Sequence, residues 1–145
     1  MNKQLDEFIG YIDLAKNDLN VQRQIAFELE CNSITLDIID KSIALAEKLK
    51  SIAVSGNYKI NYLNQFRSNF DNILNTIPLR GHKNSNIVNQ QDDRWKTQVK
   101  EQFDNNTIQV SNFYNQLVFN IGFFEKIGFF NNNVVAIGAN GSGKT

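Results

Sequence analysis

The sequence predicts a mainly α fold, in which a helical N-terminal region over residues 1–116 gives way to a short β-hairpin leading into a glycine-rich loop. Three observations carry this expectation. Apolar residues recur at three- and four-residue steps through most of the first 116 positions, which places them on one face of a 3.6-residue helix. After Leu117 the spacing shifts toward the period of two that belongs to strands. The last eight residues, Gly138-Ala139-Asn140-Gly141-Ser142-Gly143-Lys144-Thr145, interleave glycines with small polar residues and close on a Lys-Thr pair.

The first helix starts near Leu5, where Leu5, Phe8, Ile9, Ile12, Ala15 and Leu19 form one stripe, and it can extend through Ile25 and Leu29 because 22–30 contains no breaker. Asn32 or Ser33 offers the N-cap of a second helix, whose stripe is Ile38, Leu45, Leu49 and Ile52 and whose stop is Gly56. A third follows from Leu63, Phe66, Phe70, Ile73, Leu74 and Ile77. Pro78 ends it, since proline has no N–H for the helical ladder and its ring clashes with the preceding turn. Residues 79–91 are polar, Asn-rich and without period, which predicts a long connection and the most mobile stretch of the chain. A fourth helix begins at Asp92 or Asp93, with Trp95, Val99 and Phe103 on one side and Val110, Phe113 and Leu117 continuing past Asn105-Asn106; that pair leaves open one long helix or two short ones.

Beyond Leu117, Phe119, Ile121 and Phe123 alternate with Val118, Asn120 and Gly122, and a second apolar group, Ile127 to Phe130, meets an Asn131-Asn132-Asn133 turn. Val134-Val135-Ala136-Ile137 is a short β-branched run suited to a buried strand, and it enters Gly138 directly. The chain is therefore expected to divide into a helical domain, 1–116, and a strand pair plus glycine loop, 117–145.

Charge and composition narrow the classes. Lys and Arg number 15 and Asp and Glu 15, so no global field draws the chain to nucleic acid or an anionic membrane. With 41% hydrophobic and 21% charged residues the composition is that of a globular domain rather than a disordered one. Cys31 is the single cysteine and can form no internal disulfide, and the N-terminus MNKQLDEF has neither a basic n-region nor an apolar h-region; the cytoplasm is the expected compartment. The richest apolar stretch, Leu117 to Phe130, is interrupted by Asn120, Gly122, Glu125 and Lys126, so no membrane span is expected.

The C-terminal loop carries the chemistry. In the pattern G-x-x-x-x-G-K-[ST], here Gly138, Gly141, Gly143, Lys144 and Thr145, the glycines let the backbone curl around phosphate oxygens with N–H groups pointing inward. Lys144 would set its ammonium against the β- and γ-phosphates of ATP, and the Thr145 hydroxyl would occupy one Mg²⁺ coordination position.

The string from Val134 to Thr145 resembles the Walker A segment of ABC-type P-loop ATPases, in particular the branch containing RecF-like, OLD-like and structural-maintenance-of-chromosomes proteins; the Asn140-Gly141 pair is typical of that branch. Ile121 to Phe130 is similar to the strand pair that opens such a head. The resemblance covers about the last 25 residues and implies a truncated α/β P-loop NTPase, with ATP and Mg²⁺ as cofactors of the intact parent, a possible homodimer through the ATPase head, and coupling of the parent to nucleic acid or an effector protein. Helical additions to such heads occur in phage-defence ATPases resembling anticodon nucleases, which makes defence a candidate setting.

The Q-loop, signature motif, Walker B acids and switch histidine of that family have no counterpart in these 145 residues. The expectation is an N-terminal fragment of the ATPase, with nucleotide-binding residues Gly138 to Thr145, no catalytic residues and no hydrolysis by this piece. Other candidates have blander readings beside them. Trp95, Phe103, Phe113 and Tyr114 with Arg94, Lys96 and Lys100 could form a stacking platform for single-stranded nucleic acid, but their helical spacing favours core packing. Cys31 reads as a small core residue rather than a nucleophile, His82 as a solvated loop residue rather than a phosphate contact, and Asp6-Glu7 and Asp37/Asp40 as solvated helix faces rather than metal ligands. The alternative function class is a helical protein-interaction module with no nucleotide chemistry of its own.

Overall fold

A computed structural model describes residues 3–56 and 58–131, with side chains as far as residue 126. Four helices dominate it: α1 (Lys3–Glu28), α2 (Ser33–Ser55), α3 (Ile60–Thr76) and α4 (Asp93–Asn131), with a 3-10 helix at Ser85–Gln90. α1 packs against α2 and α3, and α4 against the same two, so α1 and α4 lie across the diagonal of a four-helix bundle. Ion pairs Lys50–Asp13 and Arg23–Asp40 set α2 antiparallel to α1. Asn106 reaches the carbonyl of Thr76 and Tyr58 that of Ile121, which sets α4 antiparallel to α3.

The expected stripes meet in one core. Phe8, Ile12, Leu19 and Ile25 of α1, Ile39, Leu45 and Leu49 of α2, Phe66, Phe70 and Ile73 of α3, and Phe103, Val110, Leu117 and Ile121 of α4 are all buried there. Each stripe residue removed from water contributes about 1.5–3 kcal/mol, and the bundle is the arrangement that hides all four stripes together.

Local chemistry sets the helix ends. α1 stops in a Schellman motif, with Glu30 left-handed at φ 57°, its N–H bonded to the Phe27 carbonyl and the Cys31 N–H to that of Ala26. Gly56 ends α2 at φ 72°, a conformation glycine adopts without a Cβ penalty, and its N–H bonds to the Ala53 carbonyl. Ile77 is pushed to an extended conformation ahead of Pro78, ending α3. At the start of α4 the Asp92 carboxylate accepts from the Trp95 N–H at 2.9 Å, as an N-cap should.

The alternative left open at Asn105-Asn106 is settled, and one expectation changes. α4 runs unbroken through Asn105-Asn106 as a single helix of 39 residues, about 58 Å long at 1.5 Å per residue. The strand expected over residues 118–130 is not formed; those residues continue α4 to Asn131. Leu117, Ile121 and Phe124 extend the helical spacing of Val110 into the core, while Phe119 and Phe123, which share one side of the apparent alternation with Ile121, lie outside it. Val118 and Phe119 are apolar neighbours, so the period of two was never clean, and tertiary burial decides for the helix. The second expected strand, Val134 to Ile137, lies outside the described residues. The 116/117 boundary falls inside α4, where Leu117 is fully buried in the common core.

The connection over 79–91, expected to be mobile, is fastened at three points. The buried Gln22 amide donates to the Leu79 carbonyl, the Gly81 N–H donates to Asp18 at 2.9 Å, and Val88 of the 3-10 helix enters the core.

Candidate functional site

The nucleotide-binding residues expected from the sequence, Gly138, Ala139, Asn140, Gly141, Ser142, Gly143, Lys144 and Thr145, lie outside the described residues, as does the Thr145 hydroxyl expected to meet Mg²⁺. The helix that leads toward them is described to Asn131, seven residues before Gly138. Two polar assemblies and a cleft are the features of the bundle that carry chemistry.

The first assembly joins α4 to the α1–α2 turn. Asp104 accepts from the Asn32 N–H at 3.0 Å and the Thr35 hydroxyl at 2.8 Å through Oδ1, and from Lys100 Nζ at 2.9 Å through Oδ2. Thr107 Oγ1 lies 2.8 Å from Thr35 Oγ1. The Thr107 hydroxyl also donates to the Phe103 carbonyl at 3.1 Å, and either threonine can be the donor within the pair. Burial pushes the Asp104 carboxyl up, but the hydrogen bonds from Lys100, Thr35 and Asn32 outweigh it and hold the group below its usual range. Asn32, one of the two N-cap candidates, occupies the N-cap position of α2 but makes no side-chain cap bond; Asp104 accepts its backbone N–H from across the bundle instead.

The second assembly joins α1 to α3 and the segment after it. The Tyr11 hydroxyl donates to Asp71 at 2.6 Å, and the Arg67 guanidinium stacks 4.4 Å from the centre of the Tyr11 ring. Burial, with Asp71 adding to it, raises the Tyr11 phenol well above its ordinary value, so it stays a donor at any physiological pH. Arg80 is held by Asp71 at 3.3 Å, Asp18 at 3.8 Å and the side chain of Asn75. Beside this cluster a cleft of about 450 Å³ opens between α1 and residues 80–83.

No family model, curated protein or solved structure matches this chain. Functional inference therefore rests on its own residues. Phe103 is buried and Trp95, Phe113 and Tyr114 pack against the core, so these aromatics do structural work and form no open stacking platform. Cys31 is buried, and burial reinforced by Asp104 raises its thiol to about 11, which leaves almost no thiolate near pH 7. His82 is half-buried at the edge of the cleft. Asp37 pairs with Lys41 and Asp40 with Arg23 on exposed helix faces, and Asp6 and Glu7 are exposed. Among the described residues no group of three His, Cys, Asp or Glu side chains is placed to hold a metal ion, and no helix is long and apolar enough to cross a membrane.

Sequence reasoning missed the polar members of the core. A usable signal existed: Gln22 falls between Leu19 and Ile25 on the α1 stripe, and Thr35 and Ser42 sit in register with Ile38 and Leu45 on α2. A polar residue at an apolar register position implies a partner, because a buried polar group without one costs about 1–3 kcal/mol. The identity of the partner, Asp104 for Thr35 or Leu79 for Gln22, is not encoded by spacing.

Proposed function

We propose that this chain joins a helical bundle to the phosphate-binding segment of a cytoplasmic P-loop ATPase, whose intact parent binds ATP with Mg²⁺. The single observation that carries the reading is the string from Gly138 to Thr145, preceded without interruption by the β-branched run Val134 to Ile137. Backbone N–H groups of Gly138 to Gly143 would cradle the phosphates, Lys144 would neutralise the β- and γ-oxygens, and Thr145 would complete the Mg²⁺ shell. The likeness to the ABC-type branch then rests on this string, since the opening strand pair sought in Ile121 to Phe130 is helical. Hydrolysis, dimerisation through an ATPase head, and coupling to nucleic acid or to an effector, as in phage defence, would belong to a parent carrying an acid for Mg²⁺ and a base for water.

Magnesium-dependent ATP binding, measured by calorimetry on this chain beside a C-terminally extended form, tests the proposal. Binding by the extended form that falls roughly 10- to 100-fold in Lys144→Ala, the worth of one charge-assisted hydrogen bond, supports it. Binding by neither form removes it and leaves a helical protein-interaction module. That second reading is favoured by one observation: Phe119 and Phe123, one turn apart on α4, are 70% and 50% exposed.

A further inference from the structure

The cleft between α1 and residues 80–83 is shaped by groups that no nucleotide function uses. Its aliphatic lining comes from Leu14, Ala15 and Val21 of α1, of which Leu14 is 73% exposed. A volume of about 450 Å³ falls within the range of small-ligand sites. Its far wall is fixed before any ligand arrives. Leu79 and Gly81 take left-handed conformations at φ 62° and 95°, which for Leu79 is a strained one. Gln22 and Asp18 hold the two residues there through the Leu79 carbonyl and the Gly81 N–H. A wall held by α1 needs little reordering on binding, which lowers the entropic cost of occupancy.

The charges at the rim are unequal. Asp18 is opposed by Arg80 and occupied by the Gly81 N–H, and Arg80 is committed to Asp18, Asp71 and Asn75. Lys83 and His82 line the same cleft, and neither has an acidic partner among the described residues. We infer that this cleft binds an amphiphilic monocarboxylate, with an aliphatic body laid over Leu14, Ala15 and Val21 and the carboxylate held at Lys83 and His82. The apolar lining supplies the affinity and the unpaired cation selects the sign of the head group. The inference is independent of the proposed nucleotide site.

Octanoate is the probe, with octanol and octylamine as head-group controls of equal chain length, titrated into the 145-residue chain while methyl and backbone NMR shifts are followed. Saturable shifts at Leu14, Val21 and residues 81–83 are expected with octanoate, and weaker binding by both controls. Lys83→Glu should weaken octanoate by about tenfold or more, and Leu14→Asp should abolish saturation. Both side chains are exposed, so both variants should keep the wild-type circular dichroism spectrum and melting curve. Octanol binding as tightly as octanoate, octanoate affinity unchanged in Lys83→Glu, shifts centred on Phe119 and Phe123, or no saturation in wild type would each overturn the assignment.

Discussion

The two halves of α4 are fastened differently. Over 93–117 the helix is held by buried Val99, Phe103, Val110 and Leu117 together with directional polar contacts: Asp104 to Thr35, Asn32 and Lys100, and Asn106 to the Thr76 carbonyl. Over 118–126 the Tyr58 hydroxyl donates to the Ile121 carbonyl at 3.3 Å, and the other described contacts are aromatic and apolar. Phe124 stacks on Tyr62 with centroids 4.5 Å apart and meets Phe66 at 5.7 Å, Ile121 is buried, and Phe119 and Phe123 face outward. Hydrogen bonds have preferred lengths and angles and fix one register, whereas aromatic contacts tolerate sliding and tilting. The difference implies that the first half, with several short directional contacts, does most to set where α4 sits in the bundle, and the second chiefly supplies area.

The comparison is broken most severely at Phe66, which is fully buried and also touches Tyr58. Phe66→Ala should cost about 3–5 kcal/mol in denaturant unfolding. Amide exchange should accelerate in 118–126 before it does in 99–110; uniform acceleration would show that the halves are one cooperative unit.

A smaller effect is expected at Asp104. Replacement by alanine leaves the Thr35 hydroxyl and the Asn32 N–H without their acceptor and should cost about 1–3 kcal/mol at pH 7. Because the folded carboxyl is held below its unfolded value of about 3.9, its stabilisation is complete above that value and is lost as pH falls through the folded one. The gap between wild type and Asp104→Ala should therefore narrow in acid. A gap that stays constant from neutral pH down to strong acid would mean that the carboxylate charge contributes nothing.

The smallest effect belongs to the outer face. Phe119→Ser should change stability by no more than about 0.5 kcal/mol, since the side chain is exposed. A melting temperature several degrees lower would show that Phe119 is covered in solution and that the second half of α4 is better fastened than its described contacts indicate.

Much of this was legible in residue order. The starts and ends of α1, α2 and α3 follow from apolar spacing, Gly56 and Pro78, because a helix needs one continuous apolar face and stops where a residue lacks an N–H or favours left-handed backbone. The spacing of Gly138, Gly143, Lys144 and Thr145 was legible in residue order too and, with the run Val134 to Ile137 that precedes it, is the whole basis of the phosphate loop proposed above. The polar clasps and the cleft were not. Asp104 and Thr35 are 69 positions apart, and Gln22 and Leu79 are 57 apart. No local period encodes such pairs.

The sequence by itself determined which faces must be hidden and where most helices end, and it carries the spacing G-x-x-x-x-G-K-T over residues 138–145. Only the tertiary structure decided that residues 118–131 are helix, that Asn105-Asn106 is no break, and that the polar connection is pinned to α1. The physical reason is the same in each case. Locally these stretches are balanced between conformations that differ by about 1 kcal/mol per residue or less, and burial against a partner distant in sequence outweighs so small a preference.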